Sequence, residues 1–143
     1  MIVKDVMTTN PVCVESTALV SEAAQKLFEK DIRHLPVVQA GELIGILSDR
    51  DLQGNTWAAQ NAAGFGAEDL DRLQSFASQP VSELMSGGVL SVGADDSLVD
   101  AIDIMVENKV GAVAVLNSHD NKLIGIVSYI DVLQACKGLL TSA

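Results

Sequence analysis

The stretch "ELIGILSDRDL", residues 42–52, is answered eighty residues later by "KLIGIVSYIDV", residues 122–132. In each, a short aliphatic run of strand length, Leu43 to Leu47 or Leu123 to Val127, runs into a Ser-x-x-Asp turn. A strand buried on both faces reads as a continuous apolar run of this kind. Ser48-x-x-Asp51 and Ser128-x-x-Asp131 then predict capping boxes. The Ser hydroxyl accepts from the third helical N–H, and the acid reaches back to the cap. A single copy would need no more than this structural reading; two copies predict a duplicated unit.

The duplication extends outward in both directions. Displaced by 78 residues, "VKDVMTTNPVCV" (3–14) falls on "VSELMSGGVLSV" (81–92), pairing Val3 with Val81, Met7 with Met85 and Val14 with Val92. Next come Val20, Ala23, Ala24, Leu27 and Phe28, matched by Leu98, Ala101, Ile102, Met105 and Val106. Both sets have the i, i+3, i+4, i+7, i+8 spacing of one helical face, with Thr17 and Asp95 or Asp96 as expected caps. "HLPVVQ" (34–39) then falls on "AVAVLN" (112–117), and an insertion near Ser118 to Asp120 brings the offset to eighty.

Each copy therefore predicts strand (12–14; 90–92), helix (about 19–31; 97–109), strand (34–39; 112–117), strand (43–47; 123–127) and helix from 48 or 128. The expected fold class is α/β (α+β): two β-α-β-β-α repeats packed sheet to sheet about a pseudo-two-fold axis, since neither unit can cover its own sheet. The expected boundaries are 1–62 for the first, 63–80 for a linker with a short helix, and 81–143 for the second. In the connection, the first closing helix is expected to run past Trp57 and break at Gly64-Phe65-Gly66. A short helix with Leu70, Leu73 and Phe76 on one side follows, and Pro80 ends it. Trp57, Phe65 and Phe76 are three of five aromatic residues, so this segment is expected to complete the core or to support self-association.

Composition narrows the function. Hydrophobic residues make up 48 % of the 143 but are dispersed, and no run approaches the ~20 that a membrane span needs. The first residues lack the pattern of a signal peptide, so a cytoplasmic location is expected. The net charge of −10 is spread along the chain with no basic segment. Binding to nucleic acid or to an anionic membrane is therefore not expected. Cys13 and Cys136, far apart and without nearby histidine, predict neither a disulfide nor a zinc site but two buried or idle thiols. No Ser/His/Asp set, Cys–His pair or metal cluster supports an enzyme, and none is expected.

With "DVMTTNPVCV", "RHLPVV" and "LIGILSDRD" in the first copy, and "ELMSGGVLSV", "VGAVAVL" and "LIGIVSYID" in the second, the chain resembles a stand-alone tandem pair of cystathionine β-synthase-type (CBS) domains, a Bateman module. The resemblance implies an adenosine ligand such as AMP, ADP, ATP or S-adenosylmethionine, bound in clefts between paired domains, with no obligatory cofactor. It carries the Gly-hydrophobic-hydrophobic-Ser-x-x-Asp pattern over to Gly45 to Asp51 and Gly125 to Asp131. There Asp51 or Asp131 would take the ribose hydroxyls, and Ser48 or Ser128 with the helix start would favour a phosphate. Val12, Pro36 and Val37, and in the second copy Leu90, Ala114 and Val115, align with adenine-lining positions; a plain core role stands equally open for them. Arg33, His34 and Arg50 form a basic trio suited to phosphate, whereas the second copy has Gly111, Ala112 and Ile130, with Lys109 as its remaining cation. The bland alternatives are solvated arginines and a partly exposed strand-entry histidine.

The leading expectation is a regulatory module that senses an adenine nucleotide and acts on a separate, unidentified effector protein, as a homodimer with one dominant nucleotide site per chain. The alternative is a ligand-free dimerisation or scaffold protein that keeps the same fold.

Overall fold

The computed structural model describes residues 1–52 and 67–142, with the side chains of 67–70 excepted. The expected helix past Trp57, the break at Gly64 to Gly66 and the place of the Leu70 side chain lie outside the described residues. The fold is mixed α/β, and the chain divides into two compact units. One comprises Met1–Pro11, Ala40–Leu43 and Val89–Ala143; the other comprises Val12–Gln39 and Ile44–Gly88.

The second of these contains β2 (Val14–Glu15), α1 (Val20–Glu29), β3 (His34–Gln39) and most of β4 (Glu42–Ser48), in the sheet order β2-β3-β4. β2 runs parallel to β3, with Val14 opposite Val37. A helix, α2, opens at 49–52, and α3 (Ala67–Ala77) follows. The buried core is Val14, Val20, Ala23, Leu27, Leu35, Val37, Leu47 and Val81, with Phe76, Leu84 and Met85 packed on it. Phe76 thus completes the core, one of the two roles expected of the connection.

The other unit contains β1 (Thr8–Thr9), β5 (Ser91–Gly93), α4 (Leu98–Asn108), β6 (Ala112–Leu116), β7 (Leu123–Ser128) and α5 (Tyr129–Thr141), in the sheet order β1-β7-β6-β5. β5 is parallel to β6, and β7 pairs antiparallel with both β6 and β1. Its core is Val3, Val92, Leu98, Ala101, Met105, Val113, Val115 and Val127.

Val3 and Val81 occupy equivalent places in the duplication, yet each lies in the core that the other copy's strands build. The N–H of Val3 donates to the Asp96 carbonyl at 2.9 Å, and that of Val81 to the Ala18 carbonyl at 2.8 Å. The next steps are also mirrored: Thr8 and Thr9 pair with Ile126 and Gly125, and Ser86 bridges Ile46. The opening segments of the two copies are therefore exchanged, and β1, not predicted from the sequence, exists because of that exchange.

The exchange explains the glycine of each aliphatic run. A methyl group added at Gly45 would stand 2.5 Å from Met85 Sδ and 2.8 Å from the Ser86 carbonyl oxygen. At Gly125 it would stand 2.7 Å from Met7 Sδ and 3.0 Å from the Thr8 carbonyl oxygen. The strand must be bare there for the crossing segment to lie on it.

Two local expectations are corrected. Phe28 and Val106 do not share the buried face: they are 88 % and 70 % exposed, while Val20, Ala23 and Leu27, like Leu98, Ala101 and Met105, are buried. At roughly 100° per residue, the eighth residue on lies about 80° around from the first, beyond the buried arc. The caps also differ from those expected. Ser97 caps α4, its hydroxyl accepting from the Val99 N–H at 3.2 Å, while Asp96 accepts from the Gly93 N–H at 2.7 Å and closes the preceding turn. Leu19 precedes α1, and its N–H donates to Glu22 Oε2 at 3.3 Å, so Thr17 is not the cap.

Candidate functional site

The end of β4 and the start of α2 form a closed corner. The Ser48 N–H donates to Asp51 Oδ2 at 2.8 Å, and the Asp51 N–H donates to Ser48 Oγ at 3.3 Å. This is the reciprocal cap that the sequence predicts, with Asp in the place of the more usual Glu. The Asp49 N–H, next along, donates to the Arg33 carbonyl at 2.9 Å. That bond ties the helix start to the residue before β3, and so brings Arg33 and His34 beside Ser48 to Asp51.

The second copy builds the same corner. The Ser128 N–H and hydroxyl donate to Asp131 Oδ2 at 2.9 and 3.1 Å, and the Asp131 N–H donates to Ser128 Oγ at 3.3 Å. Tyr129 N–H donates to the Gly111 carbonyl at 3.0 Å. The backbone is thus shared and the charge is not. Where the first corner has Arg33, His34, Asp49 and Arg50, the second has Gly111, Ala112, Tyr129 and Ile130. Lys109 lies farther back, exposed at the end of α4, in a left-handed conformation with φ of 55°.

Asp49 is the site residue that sequence reasoning missed. With Arg33, Arg50 and Asp51 it forms a mixed set of charges, each close enough to His34 to act on its protonation. The signal was present in "SDRD", where the position after the Ser is acidic. His34 is half-buried at the first residue of β3, and burial pushes its pKa below the ordinary value of 6.5. Arg33 and Arg50 push the same way, and Asp49 and Asp51 oppose them.

The expected adenine-lining residues divide by face. Val37 and Val115 belong to the hydrophobic cores of their own units. Pro36 and Ala114, also buried, alternate with them and so lie on the opposite faces of β3 and β6. Val12 and Leu90 are half-buried just ahead of β2 and β5. Ser48, Asp51, Ser128 and Asp131 are half-buried, and Arg33 and Arg50 are exposed. Among the described residues no cluster of His, Cys, Asp or Glu could hold a metal ion. Cys13 and Cys136 are free, Cys13 half-buried and Cys136 exposed. No helix among the described residues is long and apolar enough to cross a membrane.

Known proteins share this architecture. The uncharacterized protein MJ1232 of Methanocaldococcus jannaschii is 29 % identical over 136 residues, which are 95 % of this chain and 38 % of that protein. The CBS domain-containing protein YhcV of Bacillus subtilis is 32 % identical over 130 residues, 91 % of this chain and 81 % of that one. The chain thus spans well under half of one relative and most of the other. The crystal structure of CBSX2 in complex with AMP matches with a TM-score of 0.77 at 28 % identity, covering 96 % of this chain and 97 % of that one. The family model of the CBS domain matches twice, at residues 3–54 and 81–138. The two copies of the duplication coincide with those two matches, and the chain belongs to the CBS domain family.

Proposed function

We propose that this chain is a regulatory module that binds an adenosine-containing ligand and communicates its presence to a separate effector protein. The observation that carries this reading is the first corner, where a capped helix start, Asp51, two arginines and His34 lie together. Support comes from CBSX2, which has the same fold at 28 % identity and is solved with AMP. Asp51 uses Oδ2 in the cap, and a carboxylate has lone pairs enough to cap and also to accept from ribose hydroxyls. Ser48 and the helix start favour the phosphate, with Arg33 and Arg50 contributing positive charge and the His34 imidazole beside them. AMP, ADP and ATP suit that charge best; S-adenosylmethionine shares the adenosine but brings a cation to the arginines. Such a ligand regulates only by binding one state of the module better than another.

The module acts on this reading without catalysis of its own, in the cytoplasm, with repeats bounded at 1–62 and 81–143. It works as a homodimer. Support for self-association comes from the large apolar side chains exposed on helices, Phe28 on α1, Val99 and Val106 on α4, and Leu133, Leu139 and Leu140 on α5. The same side chains favour the second reading, a scaffold that dimerises without any ligand. Calorimetry of the purified protein with AMP, ADP, ATP and S-adenosylmethionine separates the two. Saturable heat with the phosphorylated ligands supports the sensor, and no heat with any of the four leaves the scaffold.

A further inference from the structure

The first corner holds its charges in balance. Arg33 and Arg50 carry two positive charges, Asp49 and Asp51 carry two negative ones, and His34 stands among them at the mouth of β3. The Asp49-to-Arg33 backbone bond of 2.9 Å fixes these groups on two elements that meet, so they do not disperse along one flexible loop. With His34 neutral the cluster has no net charge; with His34 protonated it has one positive charge. A phosphate entering beside the helix start adds negative charge to a cluster with no excess of cation, and the imidazole is the group that can supply it at moderate pH.

Resting on the reading of this corner as the phosphate end of a nucleotide site, we infer that ligand binding there is proton-linked: the phosphorylated ligand binds with uptake of one proton at His34, and affinity rises as the pH falls. The groups that set this balance are Arg33 beside His34 on the approach to β3, and Asp49, Arg50 and Asp51 on α2. Burial and the two arginines keep the free imidazole neutral at neutral pH. A bound phosphate opposes them and raises the midpoint. By reciprocity, whatever factor the ligand adds to proton affinity the proton adds to ligand affinity. The gain occupies the window between the lowered free midpoint and the raised bound one. Below that window it is complete, and protonation of the ligand's own phosphate, with its second pKa at about 6, works in the opposite direction. The second corner, with Gly111 and Ala112 in place of Arg33 and His34, has no such proton to take.

The chain has two histidines, and His119 is exposed in the turn between β6 and β7, which makes it an internal reference. The test follows the imidazole proton resonances of the full chain by NMR from pH 5 to 8.5, alone and with saturating AMP, ATP or adenosine. His119→Gln, an exposed substitution, assigns the resonance that remains to His34. The expected result is an upward move of the His34 midpoint by about one unit with AMP or ATP, equivalent to about tenfold tighter binding at the acid end of the window. His119 stays in place, and adenosine, which lacks the phosphate, leaves His34 unmoved. Saturation by AMP or ATP with an unmoved His34 midpoint, or an equal move with adenosine, overturns the proton linkage and leaves the nucleotide site standing. Failure of AMP and ATP to bind at any pH overturns the linkage and the nucleotide reading together.

Discussion

At Gly45 and Gly125 a crossing segment lies directly on the strand, leaving no room for a side chain. Gly45→Ala and Gly125→Ala force Met85 or Met7, and the backbone carbonyl beside it, to give way. Overpacking of this kind costs about 1–3 kcal/mol, to be read as a lower urea midpoint for each variant, whereas Gly138→Ala, with open space around it, does not lower it. His34 adds a pH dependence. Its folded midpoint lies below the 6.5 of the unfolded chain, so the unfolded state holds more protons in that interval. Stability is therefore full above the unfolded value, declines as the pH falls from there to the lowered folded midpoint, and levels off below. Thermal melts of the wild type and His34→Gln across that interval should differ in slope, with the variant losing this share of the decline. The chemistry of the corner was legible in the sequence as Ser48, Asp51, Arg33, His34 and Arg50. Asp49 was visible only as an acidic position in "SDRD"; that it joins the corner depends on a backbone bond to Arg33 that no spacing rule announces.

Among the elements, the amphipathic helices were the most legible, since periodicity reports burial directly. Their stripe proved narrower than five positions: Leu27 is buried and its neighbour Phe28 is exposed. The two substitutions therefore separate packing from surface. Leu27→Ala should cost about 2–5 kcal/mol as a buried truncation, while Phe28→Ser should leave monomer stability within about 0.5 kcal/mol and, on the proposed dimer, lower the molecular mass seen by light scattering. Equal destabilisation by both would place Phe28 in a core it does not occupy. Short elements were less legible. β1 and β2 have two residues each, and a pair of residues has no periodicity to read. The caps were misassigned by one or two residues because Thr17, Asp95, Asp96 and Ser97 all have cap chemistry, and geometry alone chooses Ser97 for α4.

Over the whole molecule, the duplication implies two like units but does not specify which segment joins which sheet. Val3 and Val81 hold the same place in the repeat and are identical in side chain, so burying either in either core satisfies the same pattern. Only the three-dimensional arrangement distinguishes exchanged openings from unexchanged ones. Removal of residues 1–11 should thus weaken the unit built of 89–143, whose core contains Val3 and whose sheet edge is β1, more than the unit built of 12–39 and 44–88. Hydrogen exchange should show protection lost first in β5, β6 and β7, and uniform loss in both units would count against the exchange. The asymmetry of charge between two corners of the same backbone is the central claim, and calorimetric titration of AMP into the wild type, Asp51→Ala and Asp131→Ala tests it most directly. The expected result is one dominant site per chain in the wild type. Asp51→Ala should weaken it by ~1.5–3 kcal/mol, the scale of hydrogen bonds to a charged group, and Asp131→Ala should leave affinity nearly unchanged and cost a helix cap worth ~1 kcal/mol of stability. Two equal sites in the wild type, or equal loss of affinity in both variants, would contradict it.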